Sequence, residues 1–164
     1  MNSFYKVTLV LLLLFSSLTS CTSESIDDAD SLIIPEETLV AKDIEVEILS
    51  LINQHRSNLG LSSLDDMSII KSVAFSHTDY MVDVNQVSHA NFYTRSAYLK
   101  ENAGAQTVTE NVAYGYSSAE AVVNAWLRSD SHKENLEGDF TNFDVSAETN
   151  ADGRWYFTNI FIKI

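Results

Sequence analysis

The chain has 164 residues, one cysteine, one proline and a formal net charge of -13, with a pI near 4.4. So acidic a surface repels phosphate backbones and offers no polybasic attraction to anionic headgroups, which excludes nucleic acid and electrostatic membrane docking as partners. A lone cysteine excludes an internal disulfide, so stability must come from packing.

Residues 1–20 read as a secretory signal. Lys6 supplies the positive region, Val7 to Phe15 is predominantly apolar, and Ser16 to Ser20 is mostly small and polar. The apolar run is too short for a membrane span. Leu18-Thr19-Ser20-Cys21 resembles the bacterial lipobox, in which the cysteine becomes the lipidated first residue. Cys21 is therefore the expected lipidation site. The mature protein is expected on a bacterial membrane, facing the periplasm or the cell exterior. An ordinary signal peptide with a coincident cysteine is the alternative.

Residues 21–42 form an acidic tether. It carries Glu24, Asp27, Asp28, Asp30, Glu36 and Glu37, has no aromatic residue, and holds Pro35. Such composition disfavours a packed core. The apolar patch Leu32-Ile33-Ile34 interrupts it as a segment able to dock on the domain.

One globular domain is expected over 43–164. Ile44, Ile48, Leu51, Ile52 and Leu59 recur at helical spacing, with Asp43 as N-cap and Gly60 as stop. Ile69, Ile70, Val73, Ala74, His77, Tyr80 and Met81 mark a second helix over 66–84. A third is expected around Thr94 to Glu101, ending near Gly104. Ser117-Ser118-Ala119-Glu120 reads as a capping box opening a helix with Val122, Val123 and Trp126. A further helical turn holds His132 to Leu136.

Three strands are expected. Val108 to Tyr114 alternates. Phe143, Val145 and Ala147 alternate with polar residues, as in a half-exposed strand. After the turn signal Asn150-Ala151-Asp152-Gly153, Arg154 to Ile164 is aromatic and β-branched on both faces, as in a central buried strand. The fold class is α+β, with helices covering an antiparallel sheet.

Chemistry concentrates in Ser88-His89, in Glu110-Asn111-Val112-Ala113-Tyr114-Gly115, and in Ser129 to Leu136, which contains His132. Two imidazoles and one carboxylate match a catalytic zinc site, or one for another divalent metal, with a position open to water. Without metal, Glu110 would hold one imidazole in a fixed tautomer. Asn111 reads as a loop anchor, His77 as a satisfied core or boundary residue, and His55 as a surface residue. Tyr114 and Tyr116 are placed at the cavity rim. No Gly-x-Ser-x-Gly elbow, phosphate-binding loop or His-Glu-x-x-His motif is present.

From about Ile44 to Ile162 these residues resemble the CAP superfamily, or SCP domain, in its compact bacterial branch. The matching pieces are Asn53-Gln54-His55-Arg56 with Gly60-Leu61, Ala74 to Met81, Ser88-His89, Glu110 to Gly115, Val122 to Trp126, and Ser129 to Leu136. The resemblance implies an α-β-α sandwich around a three-stranded antiparallel sheet. It also implies a cavity lined by two histidines and two glutamates, here His89, His132 and Glu110. The second glutamate's position is occupied by Ser129, the glycine before Glu110 by Thr109, and the usual Gly-Val-Gly by Asp144-Val145-Ser146.

Three functions follow from different classes. The leading one is a non-enzymatic envelope binding or scaffold module, requiring no cofactor and taking an envelope component, protein or lipid as partner. The second is a metal-dependent, peptidase-like hydrolase using His89, Glu110 and His132. The third is lipid or sterol binding.

Overall fold

The structure is a computed structural model describing residues 32–35 and 39–164. The expected signal peptide, Cys21 and most of the acidic tether lie outside the described residues. In chain order the elements are α1 (Asp43–Asn58), β1 (Asp65–Asp66), α2 (Ser68–Asp83), α3 (Phe92–Ala103), β2 (Thr107–Tyr114), α4 (Ala119–Leu127), α5 (Asp130–Glu137), β3 (Asn142–Thr149) and β4 (Trp155–Lys163).

The strands form one sheet in the order β1-β3-β4-β2. β4 is central and antiparallel to both β2 and β3, which matches its apolar character on both faces. The expected three-stranded sheet gains a fourth member. β1 pairs in parallel with β3 through only two residues, Asp65 and Asp66. Two exposed aspartates carry no hydrophobic alternation, so periodicity could not reveal this strand. Asn53 positions it: its amide donates to the Leu64 carbonyl and accepts from the Leu64 N–H, both at 2.9 Å.

Helices cover both faces of the sheet. Ile48 and Ile52 of α1, Val122 and Trp126 of α4 and Leu136 of α5 pack with Phe143, Val145, Phe157 and Phe161. On the opposite face, Ile70, Val73 and Ala74 of α2 and Leu99 of α3 pack with Val108, Ile160 and Ile162. The molecule is thus an α-β-α sandwich. Gly104, at φ +69°, ends α3 in the left-handed conformation that side chains disfavour. α1 is capped one residue earlier than expected, at Lys42, whose N–H is bound by the Glu45 carboxylate at 2.7 Å. For α4, Ser118 is the cap, accepting from the Ala121 N–H at 3.2 Å, so the cap falls one residue past the Ser-x-x-Glu pattern.

β3 is not half-exposed. Asp144 and Ser146, which alternate with its apolar residues, are 6% and 0% exposed because α2 covers that face. Burial pushes the Asp144 carboxyl up to about 6, against the opposing pull of the Val145 and Met67 N–H groups and Lys71. The unfolded chain loses this proton near pH 3.8, the folded one near 6. The folded state therefore carries the full penalty above pH 6 and none once both states are protonated. Asp144→Asn is expected to stabilise the fold by about 1–3 kcal/mol at pH 7.5, with the gain vanishing below about pH 4. Denaturant titrations at the two pH values check this, and an equal gain at both would refute it.

Beyond β1, the outer edge of β3 is closed by side chains. Glu45 of α1, fully buried, accepts from the Ala147 N–H at 2.8 Å. Lys71 of α2 lies 2.5 Å from the other Glu45 oxygen and donates to the Val145 carbonyl at 2.8 Å. The pair satisfies backbone groups that an edge strand otherwise leaves open. Arg56 does similar work at the end of α1. It is 2% exposed and donates to the carbonyls of Ser62, Leu136 and Gly138.

Candidate functional site

The site is built on β2, whose outer edge is unpaired in the sheet. Successive strand residues face opposite layers. Glu110 faces α2 and α3, while Asn111 faces the layer of α1, α4 and α5.

Glu110 is 6% exposed and receives a bidentate pair from Arg95 of α3, Nε to Oε2 and Nη2 to Oε1, each at 2.8 Å. Arg95 also donates Nη1 to the Ala90 carbonyl at 2.6 Å, fixing the loop before α3. His89, on that loop, places Nδ1 2.9 Å from Glu110 Oε1. In a neutral ring this bond puts the proton on Nδ1 and leaves Nε2 as the lone-pair nitrogen. The His89 side chain is 51% exposed, so the ring spans a buried anchor and solvent.

His77 of α2 completes the cluster. It is 2% exposed, donates from Nε2 to the Ser88 carbonyl at 2.8 Å, and lies 3.9 Å from Glu110 Oε1. Burial lowers its affinity for a proton despite Glu110. For Glu110 burial acts upward, but the bonds from His89 and Arg95 outweigh it and hold the carboxylate below its usual range.

His132 arrives from the other layer. The Asn111 amide donates to the His132 carbonyl at 3.0 Å and accepts from Asn135 at 2.7 Å, tying α5 to β2. Burial, and then the charge of His89, lower the His132 proton affinity. The charge of one imidazole is thus felt at the other.

The structure brings His89 into contact with Glu110, but it does not assemble these two and His132 as metal ligands. Both Glu110 oxygens already receive donors, and a cation there would sit beside a buried guanidinium. Among the described residues no group of three or more His, Cys, Asp or Glu side chains is arranged to hold a metal ion. The expected three-ligand centre does not fit this donor set. Ser129, at the missing glutamate's position, has its hydroxyl 3.4 Å from that of Ser131.

Tyr114 packs 4.8 Å from the Tyr156 ring and accepts from Arg154 at 2.6 Å, while Tyr116 joins the α1–α4 core. His55 is half-buried and bonded to Glu137 at 2.9 Å.

Residues 49–161 match the family model described as the cysteine-rich secretory protein family, CAP. The chain belongs to the CAP family. Among CAP relatives it is similar to the uncharacterized membrane protein YlbC of Bacillus subtilis (strain 168), with 33% identity over 123 residues. That match covers 73% of this chain and 34% of the relative. The chain spans only about a third to two fifths of the curated relatives it matches. An extracellular protein containing an SCP domain from Bacillus anthracis (strain Ames) superposes with a TM-score of 0.63 at 29% identity, over 73% of this chain and 40% of that one. An outer surface protein from Borrelia burgdorferi superposes with a TM-score of 0.68, over 77% of this chain and 97% of that one. Its identity of 24% speaks to the CAP fold alone. Among the described residues no helix is long and apolar enough to cross a membrane.

Proposed function

We propose that this CAP protein is an exported binding or scaffold module of the bacterial envelope, held at the membrane through a lipid on Cys21, that recognises a ligand at the His89–His132 cleft without transforming it. One observation carries the reading: Arg95 holds Glu110 by both oxygens. The carboxylate is spent on neutralising a buried cation and orienting His89, and is not left to bind a metal or take a proton from water. What remains facing solvent is a half-exposed ring of fixed tautomer, with a second, partly buried imidazole nearby. Such a pair exchanges hydrogen bonds with hydroxyl and amide groups, the surface chemistry of glycans and peptide backbones.

Metal analysis with a binding assay tests this. Zinc is expected well below one per chain, unchanged by His89→Ala or His132→Ala. Soluble peptidoglycan fragments, titrated calorimetrically, are expected to bind the parent and to lose about tenfold or more in affinity with either alanine. One zinc per chain, lost in both variants, would replace this reading with the metal-dependent hydrolase.

A further inference from the structure

Leu32-Ile33-Ile34 stands out in the sequence because acidic residues flank it, and the fold gives it a seat. Leu32 and Ile34 are partly buried against the α2–α3 core around Ile70, Val73 and Leu99, whereas Ile33 between them is 76% exposed. Between the segment and the two helices lies a cavity of about 340 Å³. Leu32, Ile33 and Pro35 form one wall and Phe75 and Tyr80 line the α2 side. His77 and Arg95, the two residues packed behind Glu110, also line it.

Leu32 and Ile34 meet the domain through apolar contact. Two partly buried aliphatic side chains gain little more than ordering four residues costs, which sets a seated-to-free ratio of about ten to a hundred at most. A contact so balanced yields to a competitor.

We propose that Leu32–Pro35 is a releasable strap that closes the groove between α2 and α3, and that its displacement opens the groove to an apolar guest. A guest there touches His77 and Arg95. Strap release therefore reaches the Glu110–His89 pair from behind, while the outer cleft stays open.

Nile red, a neutral apolar dye, tests the strap in the full chain. Leu32→Asp and Ile34→Asp should each tighten dye binding by about tenfold, the fold-change a lost apolar contact of this size implies. Val40→Asp, at an exposed position that does not line the groove, should leave it unchanged. A synthetic peptide spanning residues 30–36 should displace dye from the Asp variants. Leu32→Ala and Ile34→Ala, which remove apolar area without adding charge, keep the test decisive if aspartate disturbs the fold. Equal dye affinity in the parent and the Leu32 and Ile34 variants, or an equal effect at Val40, would overturn the proposal.

Discussion

Arg95→Met is expected to lower the unfolding free energy by about 3–5 kcal/mol, because it leaves the Glu110 carboxylate buried with no guanidinium. For a domain of this size that corresponds to a melting temperature about 10–20 °C lower. The exposed His89 ring cannot compensate, since it supplies a single bond at one oxygen. The loss also frees the Ala90 carbonyl and loosens the loop that carries His89. Removing both charges is a different matter. Arg95→Met with Glu110→Leu should recover at least about half of the loss, as isolated buried charges cost more than absent ones. Urea denaturation of the parent, both single variants and the double variant measures this. A single-variant loss under about 1 kcal/mol would show that the pair contributes little. High salt should change the result only slightly, because the pair lies out of reach of counterions.

Lys71→Met should cost a similar amount, about 3–5 kcal/mol, for a reason at the opposite edge of the sheet. It takes the buried ammonium from the fully buried Glu45 carboxylate, leaving it the more exposed Lys42 ammonium at 3.8 Å, and takes the donor from the Val145 carbonyl. Glu45→Gln should cost less, because the amide oxygen still accepts from the Ala147 N–H. The two substitutions are expected to couple by about 1–3 kcal/mol in a double-mutant cycle. Hydrogen exchange at Ala147 should accelerate in Lys71→Met more than at the β4 amides. Additive energies would mean that the two side chains act independently, and that the edge of β3 needs no ionic closure.

Periodicity located α1, α2, α4 and the three long strands, because each carries an apolar face of the right spacing, while α3 and α5 were expected only as a short helix and a helical turn. It missed β1, whose two aspartates bury nothing. It also misjudged β3. Asp144 and Ser146 look like solvent-facing positions until α2 is laid over them. Of the site, the His89–Glu110 contact was legible from the family-like order of motifs. Arg95 was not, although Phe92, Arg95 and Leu99 share helical spacing and put a guanidinium where a core residue belongs. His77 offered the same signal in α2, between Ala74 and Met81. A polar residue on an apolar face has many bland explanations, and only the fold reveals that two of them face one carboxylate. Lys71 and Glu45 were hidden for the same reason: a charge in a helix reads as solvated until its partner, distant in sequence, is placed.

Glu110 and Asn111 are consecutive, so a single peptide unit serves both helical layers at once. One pins α3 and the loop before it; the next pins α5. A register slip of one position in β2 would send the carboxylate into the apolar side among Trp126 and Phe157, and turn the amide toward Arg95. The ties to α3 and to α5 would then fail together. The dipeptide thus acts as an alignment check during folding, since a mispaired β2 gains neither of its two anchors.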